Sequence, residues 1–127
     1  MNQNPHSSER RLHPRLDGSI PLKISSPDFD FVTETQNLSR TGVYCRVSRY
    51  IEPMTKLKIH LLLPFKRKDK ITTKKVTCSG VIVRSEAIAG KEDFNVAIYF
   101  NDIQGREADY ISDYINTFLK VKTAPTP

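Results

Sequence analysis

The sequence predicts an all-β protein with a C-terminal helix, a six-stranded antiparallel β-barrel whose last element is helical. Three observations predict it. From about residue 19 to residue 100, apolar side chains recur at every second position, the period of strands with one buried face. The connections between these runs are mostly short. After Asn101 the period changes to three-and-four, the stripe of an amphipathic helix. Such a helix can cover the open end or edge that a small barrel leaves.

The elements follow in order. "SIPLKIS" (19–25) is the first strand, and Pro21 makes it an edge or a strand start. "FVTETQN" (31–37) and "GVYCRVS" (42–48) are the second and third. "KLKIHLLL" (56–63) sets Leu57, Ile59, Leu61 and Leu63 on one face against Lys56, Lys58 and His60 on the other. "KVTCSGVIVRSE" (75–86) is long and β-branched, with Gly80 where a bulge or bend belongs. "FNVAIYF" (94–100) repeats the alternation. Ala108, Ile111, Tyr114, Ile115, Phe118 and Leu119 form the helical stripe, with Asp102 as the N-cap. Acidic Glu107, Asp109 and Asp113 come early and Lys120 and Lys122 late, as the helix dipole favours. Between the fourth and fifth runs, Lys66, Arg67, Lys68, Lys70, Lys74 and Lys75 read as a long, exposed, basic hairpin loop.

With 127 residues, the chain fits one domain. Residues 1–9, rich in Asn, Ser and Pro, read as a disordered lead-in, 10–121 as the domain, and 122–127 as a frayed tail. The longest apolar run, around Leu61 to Phe65, is far too short for a membrane span. The first residues lack the apolar stretch of a signal peptide, so a cytoplasmic location is expected. Cys45 and Cys78 have no CxxC partner or zinc-spaced histidine, which argues against a metal site. Each lies in an alternating apolar pattern and reads as a buried thiol, with a disulfide across facing strands as the alternative.

The formal net charge of +6 attracts anions, among them nucleotides, nucleic acid and acidic lipid. Besides the lysine run, a second basic cluster lies in "ERRLHPRLDGS" (9–19). Pro14 excludes a helix there and pushes His13 toward an extended conformation. Arg10, Arg11 and Arg15 therefore read as lying on an irregular segment. Directly after the second strand comes "NLSRTGVY", in which Asn37, Ser39 and Gly42 have the composition of a tight turn, with Gly42 able to take positive φ. No GxSxG elbow, P-loop or dinucleotide fingerprint is present, and the histidines belong to no triad. The chain does not read as an enzyme, and no catalytic residue is assigned.

Taken together, Arg11 and Arg15 in RxxxR spacing, followed after the second strand by Asn37, Ser39 and Gly42 in NxSxxG spacing, resemble the signature of PilZ domains. The resemblance runs from about Arg10 to Leu119 and takes in "SGVIVR", "NVAIYF" and the closing helix. Asn37 stands where aspartate is commoner. The resemblance implies a six-stranded barrel that binds the bacterial second messenger cyclic di-GMP through Arg10, Arg11, Arg15, Asn37, Ser39 and Gly42, with no other cofactor. Residue chemistry agrees: guanidinium forks match phosphate oxygens and the O6/N7 edge of guanine, and their flat faces stack on purines. In that family the residue before RxxxR bears on whether one ligand or a stacked pair is held, and Arg10 there implies up to two molecules per chain.

The implied function is that of a second-messenger receptor that orders its segment from Arg10 to Asp17 on the ligand and signals to an unidentified effector protein. Motility, adhesion and exopolysaccharide production are the implied outputs. Two other readings compete. One is a small basic β-barrel that binds nucleic acid through the Lys66 to Lys75 run, weakened by the lack of interleaved aromatics. The other is a PilZ-like interaction module without ligand, which the intact motifs argue against.

Overall fold

Alternation of apolar and polar residues turns about half of the chain into strands. The computed structural model describes residues 15–17 and 19–123, with side chains from 19 to 117 except 67. Its elements are β1 (Arg15–Asp17), β2 (Pro21–Ser26), β3 (Phe29–Ser39), β4 (Gly42–Val47), β5 (Lys56–Arg67), β6 (Lys70–Ala87), β7 (Phe94–Asp102) and α1 (Gly105–Thr123). Pairing runs β3–β2–β5–β6–β7–β4, and β4 pairs back onto β3. Six antiparallel strands thus close into a ring, the fold class the sequence predicts.

The inward positions are aliphatic. Leu22, Ile24, Leu38, Ile59, Leu61, Leu63, Val76, Ile82 and Val96 are all buried, and Ile111 and Ile115 of α1 join them. Burying such a side chain stabilises by about 1.5–3 kcal/mol. The helix lies across the end of the ring against β1, β3, β5 and β6. It is fastened there by polar bonds as well as by Ile111. The Thr77 amide donates to Glu107 Oε1 at 2.8 Å, and Arg40 Nη1 donates to Asp109 Oδ1 at 2.7 Å and to Ser112 Oγ at 2.9 Å.

Four local expectations are corrected. The arginine segment is not irregular at Arg15: Arg15–Asp17 form β1, a short strand antiparallel to β3. The basic run is not a long loop. β5 and β6 continue their pairing as far as Arg67↔Lys70, leaving a two-residue turn at Lys68 and Asp69. Asp102 does not cap the helix. It is the last residue of β7, and the carbonyl of Gln104 accepts the first helical bond, from the Ala108 amide. Gly42 does not take positive φ, which among the described glycines only Gly90 does.

Cys45 and Cys78 are buried free thiols, so the disulfide alternative falls away. Burial pushes each thiol up to about 12, with Glu107 and Asp102 adding to the effect at Cys78. Neither is a nucleophile near neutral pH.

Candidate ligand groove

The motif from Asn37 to Gly42 is built by the end of β3, a two-residue turn and the start of β4. Asn37 and Ser39 are strand residues rather than turn residues. Ser39 shapes the turn: its Oγ accepts the Thr41 amide at 3.3 Å and lies 3.4 Å from the Gly42 carbonyl. Arg40, inside the motif, is committed to α1 through Asp109 and Ser112. It anchors the turn to the helix.

Strand register carries these residues into two rows across the outside of the ring. Asp17, Asn37, Tyr44, Ala97 and Arg84 form one row, over β1, β3, β4, β7 and β6. Arg15, Ser39, Gly42, Tyr99 and Val81 form the other. The backbone of Arg15 is therefore directly opposite Ser39. Arg10 and Arg11 lie outside the described residues.

Gly42 has a role that its motif does not announce. A Cβ built on it would run into the carbonyl oxygen of Ile98 on β7. The glycine lets β4 and β7 close the ladder, and it leaves bare backbone on the floor between Ser39 and Tyr99.

Between these rows lies a groove of about 410 Å³, lined by Asn37, Ser39, Gly42, Tyr44, Val83, Arg84 and Tyr99 among others. The register of β6 against β7 shifts between Ile82 and Arg84, which makes Val83 an extra residue and leaves both Val83 and Arg84 exposed. Tyr99 is 51% exposed, an unusual value for a tyrosine in mid-strand, and its ring is open to solvent. At the groove's far side Glu86 accepts from the Tyr44 hydroxyl at 3.5 Å, and its other oxygen lies 3.8 Å from Arg84 Nε. One row further on, Arg46 Nε and Asn95 Oδ1 are buried without a hydrogen-bond partner among the described residues. Buried polar atoms of this kind call for a ligand or solvent to satisfy them.

Sequence reasoning missed Tyr99, Val83 and Arg84. Alternation marks Tyr99 and Val83 as outward-facing and puts Arg84 in the inward phase, which the register shift at Val83 reverses. Only the pairing of β6, β7 and β4 brings all three beside Asn37 and Ser39. Chemically, the groove offers a flat aromatic face, an exposed guanidinium, amide and hydroxyl groups and unobstructed backbone. That is a surface for a planar, hydrogen-bonding anion. A larger hollow, about 530 Å³, lies between the β5–β6 hairpin and α1. Its central cation, Lys74, is held over the Tyr110 ring at 4.2 Å and near Phe65 at 5.6 Å, a packing arrangement that fastens the hairpin to the helix.

The family model described as the PilZ domain matches residues 9–117. No curated protein matches the chain. In fold it is similar to the Bacillus subtilis inhibitor of motility (MotI/DgrA), with a TM-score of 0.77 at 17% identity over 89% of this chain and 53% of that one. The chain thus spans about half the length of that protein. It is also similar to the PilZ domain with c-di-GMP of YcgR from Escherichia coli, with a TM-score of 0.57 at 9% identity over 92% of this chain and 99% of that one.

Proposed function

The chain belongs to the PilZ domain family, and from that premise we propose that it is a cyclic di-GMP receptor that binds its ligand in the groove across β3, β4, β7 and β6. One observation carries the reading: β1 pairs with β3 so that Arg15 is opposite Ser39, in the same row as Gly42 and Tyr99. Arg15, the last residue of RxxxR, thereby stands at one side of these rows, and Tyr99 and Arg84 border the groove on the other. Arg11 and Arg15 fork to the phosphates and to a guanine edge, Asn37 reads the second base, and Tyr99 stacks on a purine.

Arg15–Asp17 are held in β1 against β3, so in this reading the part of the chain that responds lies ahead of them. Binding draws Arg10 and Arg11 over the ligand, and an effector protein reads the surface so formed. Motility is the proposed output, in keeping with the similar B. subtilis protein, described as an inhibitor of motility; exopolysaccharide production is the second. Calorimetric titration tests the receptor reading. At fixed salt the chain binds cyclic di-GMP in preference to GMP, GTP and cyclic AMP. Equal binding of all four, or tight binding of any duplex DNA with steep salt dependence, contradicts it.

Two further outcomes follow. Ser39→Ala weakens binding by less than tenfold, since it removes a neutral hydrogen bond of about 1 kcal/mol. The loss of its bond to the Thr41 amide lowers the melting temperature slightly. A Ser39→Ala loss greater than that of Arg15→Ala reverses the assigned roles. The second concerns Arg10. Two stacked ligands bring four phosphates together, and an added guanidinium offsets their repulsion and stacks on the outer guanine. We therefore expect two ligands per chain, falling toward one in Arg10→Leu. A parent stoichiometry of one removes this role for Arg10.

A further inference from the structure

The other side of the ring, away from β4 and β7, carries a face that the groove does not use. It begins on β2 and β5, where register aligns Val32, Lys23, His60 and Thr77 across four strands. From there the outward positions of the β5–β6 hairpin continue as Leu62↔Lys75, Pro64↔Thr73 and Lys66↔Ile71, ending at the Lys68–Asp69 turn. Apolar and cationic positions are interspersed along the whole ribbon. Val32 is 81% exposed, Ile71 68% and Leu62 41%. Lys23, Lys58, Lys66 and Lys75 on this face and Lys68 at its turn are all exposed, against Asp30, Glu34 and Asp69.

The turn itself gives an independent indication. Lys68 has φ of 54°, in the left-handed region where glycine or asparagine is the comfortable choice. A lysine there carries backbone strain that a glycine would not. The chain thus carries a cation at the ribbon's tip against the local conformational preference.

We propose that this ribbon is a docking surface for a bilayer containing anionic lipid. Three classes of partner carry negative charge, and the composition of the face separates them. Protein hot spots favour tyrosine, tryptophan and arginine, and nucleic acid rewards arginine forks and stacked aromatics. Apart from the His60 imidazole, the described outward residues of this face include neither an arginine nor an aromatic ring. Lysine ammoniums interspersed with aliphatic side chains suit a lipid interface instead. The ammoniums meet lipid phosphates, their stems lie on apolar surface, and Ile71 and Leu62 reach the acyl boundary.

His60 reports the crowding of positive charge at the centre of the face. Burial first, then Lys75, Lys23 and Lys58, hold its imidazole below the usual histidine range, and Asp30 opposes them. An anionic surface laid over the same lysines relieves that repulsion.

Flotation of the full chain with vesicles tests the proposal. On vesicles of equal parts phosphatidylcholine and phosphatidylglycerol at low salt the parent floats with the lipid, and on phosphatidylcholine alone it does not. Replacing Lys66, Lys68 and Lys75 together by Gln lowers partitioning about a hundredfold, at about fivefold per lysine. Ile71→Asn lowers it about tenfold, while circular dichroism and thermal denaturation of both variants match the parent, which shows them folded. Failure of the parent to float with anionic vesicles overturns the proposal. So does an Ile71→Asn protein that floats as well as the parent, or a parent that binds duplex DNA more tightly than the anionic vesicles. Because the face lies apart from the groove, none of these outcomes bears on the receptor reading.

Discussion

Arg15→Ala binds cyclic di-GMP about ten- to a hundredfold more weakly than the parent. The estimate comes from hydrogen bonds to a charged partner at about 1.5–3 kcal/mol, with tenfold in affinity for every 1.4 kcal/mol. Position makes the expectation specific. The backbone of Arg15 is fixed by β1 opposite Ser39, on the groove's own ladder. Arg15→Lys keeps the charge but loses the planar fork, and falls between parent and alanine variant. Isothermal calorimetry on each protein, with circular dichroism to verify the fold, checks the series. An Arg15→Ala protein that is folded and binds as tightly as the parent refutes the assignment.

Gly42→Val loses about 3 kcal/mol of stability, or about 10 °C in melting temperature for a domain of this size. The obstacle is backbone, since the added Cβ meets the Ile98 carbonyl oxygen. A side chain can rotate away from a new neighbour, but a carbonyl in a paired strand cannot move without opening the ladder between β4 and β7. Gly80 provides the contrast. A Cβ there comes within 2.7 Å of Ile98 Cγ2 in the packed core and 3.2 Å of the Tyr99 carbonyl oxygen, so Gly80→Ala is also costly, but less so than Gly42→Ala, whose nearest obstacle is backbone. Thermal denaturation of the ligand-free variants decides the matter. Equal melting temperatures for Gly42→Val and the parent contradict it, and they return the motif's glycine to a role in ligand contact alone.

The ring was legible in the sequence because each of its strands buries one face. Leu57, Ile59, Leu61 and Leu63, or Val96, Ile98 and Phe100, announce both the strand and its inward side. Ala108, Ile111 and Ile115 did the same for the helix. What was not legible depends on partners distant in the chain. β1 is three residues long with Pro14 just before it, too short to show a period, and it exists because β3 presents a free edge there. The β5–β6 hairpin extends past the core with no regular apolar alternation, so Lys66 to Lys75 reads as a loop although its backbone pairs to the last residue. Gly42 looks like a turn glycine until β7 is laid beside it. Tyr99 looks like an ordinary outward residue and Arg84 like an inward one until the shift at Val83 and the closure of β4 onto β7 place them across from Asn37. The motif residues were legible, but the far side of their groove was not.

Amide chemical shifts recorded during a cyclic di-GMP titration of the full chain test the central claim most directly. The ligand surface proposed here predicts the largest changes at Arg15 to Asp17, Asn37 to Tyr44, Val83, Arg84 and Tyr99, which belong to five different strands and become neighbours only through the ring. The lysine ribbon around Ile71 stays unperturbed. Changes concentrated at Lys66 to Lys75, or no saturable change anywhere, would contradict the claim.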